Sequence, residues 1–252
     1  VLKDGPWQVF LHYGQPPVKS HLQAEVLNFS AFYEDTDVTH DPGTTGYSSD
    51  LHRDYFTQGL NHNVPLINGE GQEQPPKGRK PDPFTETRAG RMVEFSASPA
   101  RMTAEQPVYR RGVRTARTLA IEGRTLRDTV IVSCEGTSPQ ALGLALHVQG
   151  KTRLPDGFRP TLDFAHGRPA AFRYWTNVRK WAARDRASFD VDFGARALRI
   201  TFQVPGEFAI WHASTPDVPP SRREGFYLET RGTNAVFSTL FAPAGATHPG
   251  RE

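Results

Sequence analysis

The sequence contains one cysteine, Cys134, so it can build neither an internal disulfide framework nor a cysteine-rich zinc module. Within the apolar run TVIVSCEG that thiol reads as a buried, inert group. No apolar run approaches the roughly 18 to 20 residues that a membrane span needs, which excludes an integral helical membrane protein. Lysine is scarce as well, six residues against 24 arginines. Guanidinium binds carboxylate and sulfate bidentately, so this imbalance suits acidic ligands; a high-GC genome would produce it with no functional cause. A net charge of +3 spread over 252 residues, with no basic run interleaved with aromatics, does not suit nucleic acid. Neither nucleic acid nor a membrane is expected as a partner. The opening VLKDGPWQVFLHYG lacks an initiator methionine, a basic n-region and a leader, and is expected to belong to a processed product or to one piece of a longer polypeptide.

Helical periodicity is the other absence. In its place come short alternating or β-branched runs: WQVFLHY, EVLNFSAFY, VPLIN, MVEFSA, RTARTLAIEG, LRDTVIVSC, ALGLALHVQG, ASFDVDF, ALRITFQV, EFAIWHA, GFYLET and NAVFSTLFA. Turn signals such as DPG, NGEG, PDG, HGRP, VPG and RGTN separate them, in a chain with 22 glycines and 21 prolines. The expected fold class is all-β: a large antiparallel sandwich or stacked sheets of about a dozen strands. One short helix is expected from Asp50 to Gln58, with Asp50 capping its first turn. Gln74 to Pro83, QPPKGRKPDP, reads as an exposed loop dividing a lobe of about residues 1–80 from sheets of about 81–252.

Five of the nine histidines (His12, His21, His40, His52 and His62) fall in the first quarter of the chain, together with Tyr13, Tyr47, Tyr55, Glu25 and Asp41. Histidine is the side chain best suited to proton transfer near neutral pH, and a tyrosine of lowered pKa can share that work. Each residue also has a plain reading. His21 closes a loop before a strand, Asp41 is a turn residue before Pro-Gly, and the asparagines beside His62 either fix its tautomer or cap its loop. A metal held by Asp41 and His62 would need distant segments to converge, unlike any local zinc motif.

The order of these motifs resembles the β-domain of heparinase II/III-type polysaccharide lyases, a group that includes exolytic alginate and oligo-alginate lyases. The resemblance rests on Tyr13-Gly14, then His21-Leu22-Gln23-Ala24-Glu25, then Asp41-Pro42-Gly43, then Asn61-His62-Asn63 running into Asn68-Gly69. It implies the C-terminal β part of an enzyme whose N-terminal α/α toroid is not in this sequence and would carry further catalytic residues. It implies β-elimination on a uronic-acid polysaccharide, alginate-type or heparin/heparan-type, in the bacterial periplasm or outside the cell. His21 would be the catalytic base or carboxylate neutraliser and Tyr47 the acid, with Tyr55 as the alternative. Arg53, Tyr55 and Gln23 would meet the substrate, and Asp41 and His62 would hold a divalent metal, zinc being the first candidate. Gln23 stands where the family has a second, metal-binding histidine, and Glu25 where it has aspartate. Glutamine is a poor zinc ligand, so another group such as His40 would have to substitute, or no metal binds. Arg110, Arg111, Arg114 and Arg117 fall on strands with no motif behind them, and Tyr174, Trp175 and Trp181 are placed either to stack on sugars or to pack in the core. Two other readings compete: a non-catalytic carbohydrate-binding β-sandwich, and a structural module of a larger assembly.

Overall fold

A computed structural model describes residues 1–14, 22–73 and 90–245. The chain is all-β, in large antiparallel sheets. Strands β1 (Leu2–Asp4), β2 (Trp7–His12), β3 (Asn28–Tyr33) and β4 (Thr36–Thr39) form a four-stranded meander. The rest enter one twelve-stranded sheet: β5 (Pro65–Ile67), β6 (Arg91–Ala97), β7 (Ala100–Arg110), β8 (Val113–Glu122), β9 (Thr125–Cys134), β10 (Gln140–Val148), β11 (Lys151–Arg153), β12 (Arg159–Pro160), β13 (Thr176–Asp192), β14 (Ala197–Pro216), β15 (Arg222–Gly232) and β16 (Asn234–Pro243).

The hinge of this sheet is β14. Its first half pairs with β16 from Leu198 to Gln203, its second half with β15 from Ala209 to Pro216, and β13 follows its other edge. The VPG segment, read as a turn between two strands, instead continues one 20-residue strand. A register shift opposite Arg184 and Asp185 absorbs it, with Gly206 at φ +81° donating its N–H to Asp185 Oδ1 at 2.7 Å. By changing neighbours, β14 lets the β10–β15 region and the β8–β9–β16 region share one core. Leu144, Leu146 and Phe226 from the first are buried in the same cluster as Leu119, Val130 and Phe237 from the second. Trp7 and Phe29 of the meander meet Phe241 of β16 edge-on, at 6.2 and 6.4 Å between ring centroids.

β10 is buried on both faces, which explains its nearly unbroken apolar sequence. Leu142, Leu144, Leu146 and Val148 enter the main core. Ala145 faces a second, aromatic cluster of Tyr55, Phe56, Phe164, Phe172, Trp175 and Trp211. Two irregular segments cover that face: residues 50–64, and residues 161–175 with short 3-10 turns. The expected helix is a single turn of π-helix, His52–Phe56, and Asp50 does not cap it; the Asp50 carboxylate takes Arg53 Nη2 at 2.6 Å instead. Cys134 is partly buried, and burial pushes its thiol pKa up. The predicted loop from Gln74 to Pro83 lies outside the described residues.

Candidate active site and cation cluster

Three loops converge where the meander meets the large sheet: the turn Glu25–Asn28, the segment after β4 that begins His40–Asp41, and the 3-10 turn Gly59–Asn61 leading into His62. Ligand atoms of Glu25, Asp41 and His62 all lie within 4.8 Å of one another. Asp41 Oδ2 stands 2.9 Å from His62 Nδ1 and accepts Asn28 Nδ2–H at 2.6 Å, while Asp41 Oδ1 accepts the Gly43 N–H at 2.7 Å. The Asn28 orientation is forced, because its Oδ1 accepts the backbone N–H of Phe29 and of Asn63, each at 2.9 Å. Burial alone would raise the Asp41 carboxyl pKa; the His62 imidazole and the Gly43 amide outweigh it and hold the pKa far below the usual range.

His62 is fully buried, and its Nε2 lies 3.1 Å from the carbonyl oxygen of Phe56. A carbonyl only accepts, so Nε2 carries a proton and Nδ1 is the nitrogen turned toward Asp41 and Glu25. An Nε2–H given to a backbone carbonyl, with Nδ1 turned toward carboxylates, is the usual arrangement of a metal-binding histidine. One imidazole nitrogen and two carboxylates are a donor set that zinc and harder divalent ions accept, so these residues fit a cation. The group that joins Asp41 and His62 is Glu25, not His40: His40 Nδ1 meets Asp37 Oδ2 at 2.6 Å and its Nε2 meets Asp217 Oδ1 at 3.5 Å. Those two carboxylates, Asp217 foremost, push the His40 pKa up to about 9.

The asparagines beside His62 serve the loops and leave its tautomer to Phe56. Asn63 Nδ2 donates to the Phe29 carbonyl at 2.9 Å and to Thr39 Oγ1 at 2.7 Å, and Asn63 Oδ1 accepts the His147 N–H at 2.8 Å. Arg117, which no motif marked, is wholly buried and grips Asp128 through Nε and Nη2 at 2.7 and 2.6 Å. Its Nη1 donates to the carbonyls of Leu27, at 2.6 Å, and Asn63, and its guanidinium lies 4.3 Å over the Phe29 ring.

His21 lies outside the described residues. Gln23 is half-buried beside Ala24, whose N–H donates to the Thr57 carbonyl at 3.0 Å. Tyr47 is 60% exposed and stands edge-on to His52 at 4.7 Å, and His52 Nδ1 meets Thr44 Oγ1 at 2.5 Å. Arg53 is exposed and engaged with Asp50 and with Asp54, at 2.6 and 3.1 Å. Tyr55 is closed to solvent: Trp175 Nε1 donates to its hydroxyl at 3.2 Å, and burial pushes its pKa up to about 12. As placed, Tyr55 and Trp175 are core residues rather than a sugar platform. His12, absent from the motif series, borders the cluster with Nδ1 3.5 Å from Glu25 Oε2, and that contact raises its pKa.

A family model described as "Heparinase II/III-like, C-terminal" matches residues 1–246. No curated protein matches the chain. Among solved structures, the heparinase III product of the BT4657 gene superposes with a TM-score of 0.64 at 12% identity, over 94% of this chain and 33% of its own. Heparan sulfate lyase HepC from Pedobacter heparinus superposes with a TM-score of 0.58 at 14% identity, over 94% of this chain and 34% of its own. The likeness is one of fold, and the chain spans about a third of those proteins. No described helix is long and apolar enough to cross a membrane.

Proposed function

Because the chain belongs to the heparinase II/III-like C-terminal family, we propose that it supplies the β-domain half of a polysaccharide lyase active site acting on a uronic-acid polymer of heparin/heparan or alginate type. The observation that carries this reading is the convergence of Glu25, Asp41 and His62 from three separate loops, Glu25 lying four residues after His21 in the sequence. A buried imidazole set against two partly buried carboxylates costs desolvation, and such groupings are characteristic of functional sites.

β-Elimination needs the uronate carboxylate neutralised so that the proton on the adjacent ring carbon becomes acidic. A base takes that proton, the bond to the glycosidic oxygen breaks, and an acid protonates the departing oxygen, leaving an unsaturated uronate. His21 is the proposed base or neutraliser. Tyr47 is the proposed acid, supported by its exposure and its seat on His52. Arg53 is a carboxylate-binding candidate that would have to exchange Asp50 or Asp54 for the substrate. Gln23, half-buried and two residues before Glu25 in the sequence, is the remaining candidate for substrate contact; the buried Tyr55 supports the site by packing. A divalent cation held by Glu25, Asp41 and His62 would supply positive charge and cross-link the three loops. Proton transfer rests on the protein's own side chains. The missing residues of the cleft would come from an N-terminal toroid, and secretion or a periplasmic location fits a polymeric substrate.

The test is ultraviolet absorbance of the unsaturated uronate, with heparan sulfate, alginate, hyaluronan and polyglucuronate each offered to the chain alone and to a polypeptide that also carries the toroid. A rise with one polymer, abolished by His21→Ala and reduced at least about 100-fold by Tyr47→Phe, is the expected result. A flat trace on every polymer, with polymer binding retained, would replace this reading with a carbohydrate-binding module.

A further inference from the structure

Arg223, the second residue of β15, is 3% exposed and far in sequence from every motif discussed above. Its Nη1 donates to the carbonyl of His40 at 2.7 Å, and its Nη2 donates to the carbonyl of Asn61 at 2.6 Å and to Asn61 Oδ1 at 3.3 Å. His40 directly precedes Asp41, and Asn61 directly precedes His62. We propose that Arg223 is a positioning residue for the Glu25–Asp41–His62 site, one guanidinium fork setting the distance between the loop of Asp41 and the loop of His62. The cation arm of this inference rests on the cation reading above.

Three observations carry it. First, the Asp41 and His62 segments belong to no common sheet ladder, so their spacing needs another fixture; Arg223 bridges to them across 183 and 162 residues of sequence. Second, no described carboxylate is within ion-pair distance of Arg223. Burial lowers its pKa, and the charges of Asp217, Asp41 and Asp37 act on it only from farther away. Its two terminal nitrogens are therefore given to carbonyls, a use for which a rigid planar fork is suited and a lysine ammonium is not. Third, the opposite flank of the same site is held in the same way. Arg117 donates to the carbonyls of Leu27, two residues after Glu25, and Asn63, one residue after His62. His62 is thus gripped on both sides by guanidiniums from different parts of the large sheet. Arg117 is also locked to Asp128, so its loss would strand a buried carboxylate, whereas Arg223 can be altered without doing so.

The test compares the full wild-type chain with Arg223→Lys and with Arg168→Lys. Arg168 is a control of similar kind, largely buried and bonded to Glu229 at 3.0 Å through two nitrogens, with no hydrogen bond or ion pair to the site loops among the described residues. Two quantities are read: Zn²⁺ affinity by calorimetry, and hydrogen exchange at the backbone amides of Asp41 and His62. Arg223→Lys is expected to bind Zn²⁺ about 10- to 100-fold more weakly and to speed exchange at those two amides. Arg168→Lys is expected to match wild type in both, even where it melts earlier. Wild-type affinity and wild-type local exchange in a folded Arg223→Lys protein would overturn the proposal. If the wild-type chain takes up no Zn²⁺, the cation reading fails by itself, and the exchange comparison alone decides the role of Arg223. Arg223→Gln, which retains a planar donor for one carbonyl, takes the place of a lysine variant that does not fold, under the same criteria.

Discussion

At Asp41 the backbone after β4, the Asn28 side chain and the His62 ring meet on one carboxylate. Removing its charge with Asp41→Asn, which leaves one acceptor oxygen for either Asn28 or Gly43 but not both, should therefore weaken divalent-cation binding by at least about 10-fold; calorimetric titration checks this. Arg117 and Asp128 show the other use of buried charge. Both side chains are wholly shielded and pair bidentately, so Arg117→Met alone should cost about 3–5 kcal/mol in urea unfolding. The double variant Arg117→Met/Asp128→Leu should recover much of that loss, because the stranded carboxylate is then gone. The sequence could place Asp41 and His62 by the order of their motifs. Glu25 was legible as the acid of the same motif, though not as the third member of the cluster. Arg117 and Arg223 could not be read at all, since a strand arginine whose partners lie on distant segments leaves no local pattern.

Among the elements, the crossing of β14 from β16 to β15 joins the two halves of the large sheet, and its bulge is where the sequence pattern misleads. Val204–Pro205–Gly206 has turn composition, yet Gly206 extends the strand in a left-handed conformation held by the Asp185 side chain. Gly206→Val, β-branched at φ +81°, should destabilise the protein by about 1–2 kcal/mol, and Asp185→Ala by about 1 kcal/mol, both by chemical denaturation. Another tight element is the approach of Gly59 to Gly71, where a Cβ on Gly59 would sit 2.6 Å from the Gly71 Cα. Gly59→Ala must push apart the turn that leads into His62. It should lower cation affinity as well as melting temperature, measured on the same preparation. The short helix was legible in the sequence as helix, but its π geometry and the pairing of Asp50 with Arg53 were not. The turn places the Phe56 carbonyl against His62 and the Tyr55 hydroxyl against Trp175, contacts with residues 6 and 120 positions away.

For the molecule as a whole, stability should follow the His40–Asp217 contact, which ties the loop after β4 to the end of β14. The His40 pKa is raised from 6.5 to about 9, so its contribution is complete below about pH 6.5 and is lost as pH rises through about 9. The Asp217 carboxyl, which burial would raise, is brought down to about 2, first by His40; its contribution is complete above about 3.8 and is lost as pH falls through about 2. Wild type should exceed Asp217→Asn in stability most clearly between about pH 4 and 6.5, with the gap closing by pH 10. Equilibrium unfolding across that range checks both limbs.

What the sequence determined by itself was periodicity and order: strands of alternating or unbroken apolar residues, turns at Gly and Pro, and a motif series that places the chain among heparinase-like β-domains. Those are local properties, written in side chains one or two residues apart. Only the tertiary structure decided which groups share the cluster. Glu25 joins Asp41 and His62 while His40 turns to Asp217, and Tyr55 enters the core while Tyr47 stays at the surface. The reason is physical: the loops that carry these residues have no ladder of their own. Their positions are fixed by buried donors, Arg117, Arg223, Asn28 and Asn63, that reach them from distant strands or neighbouring loops.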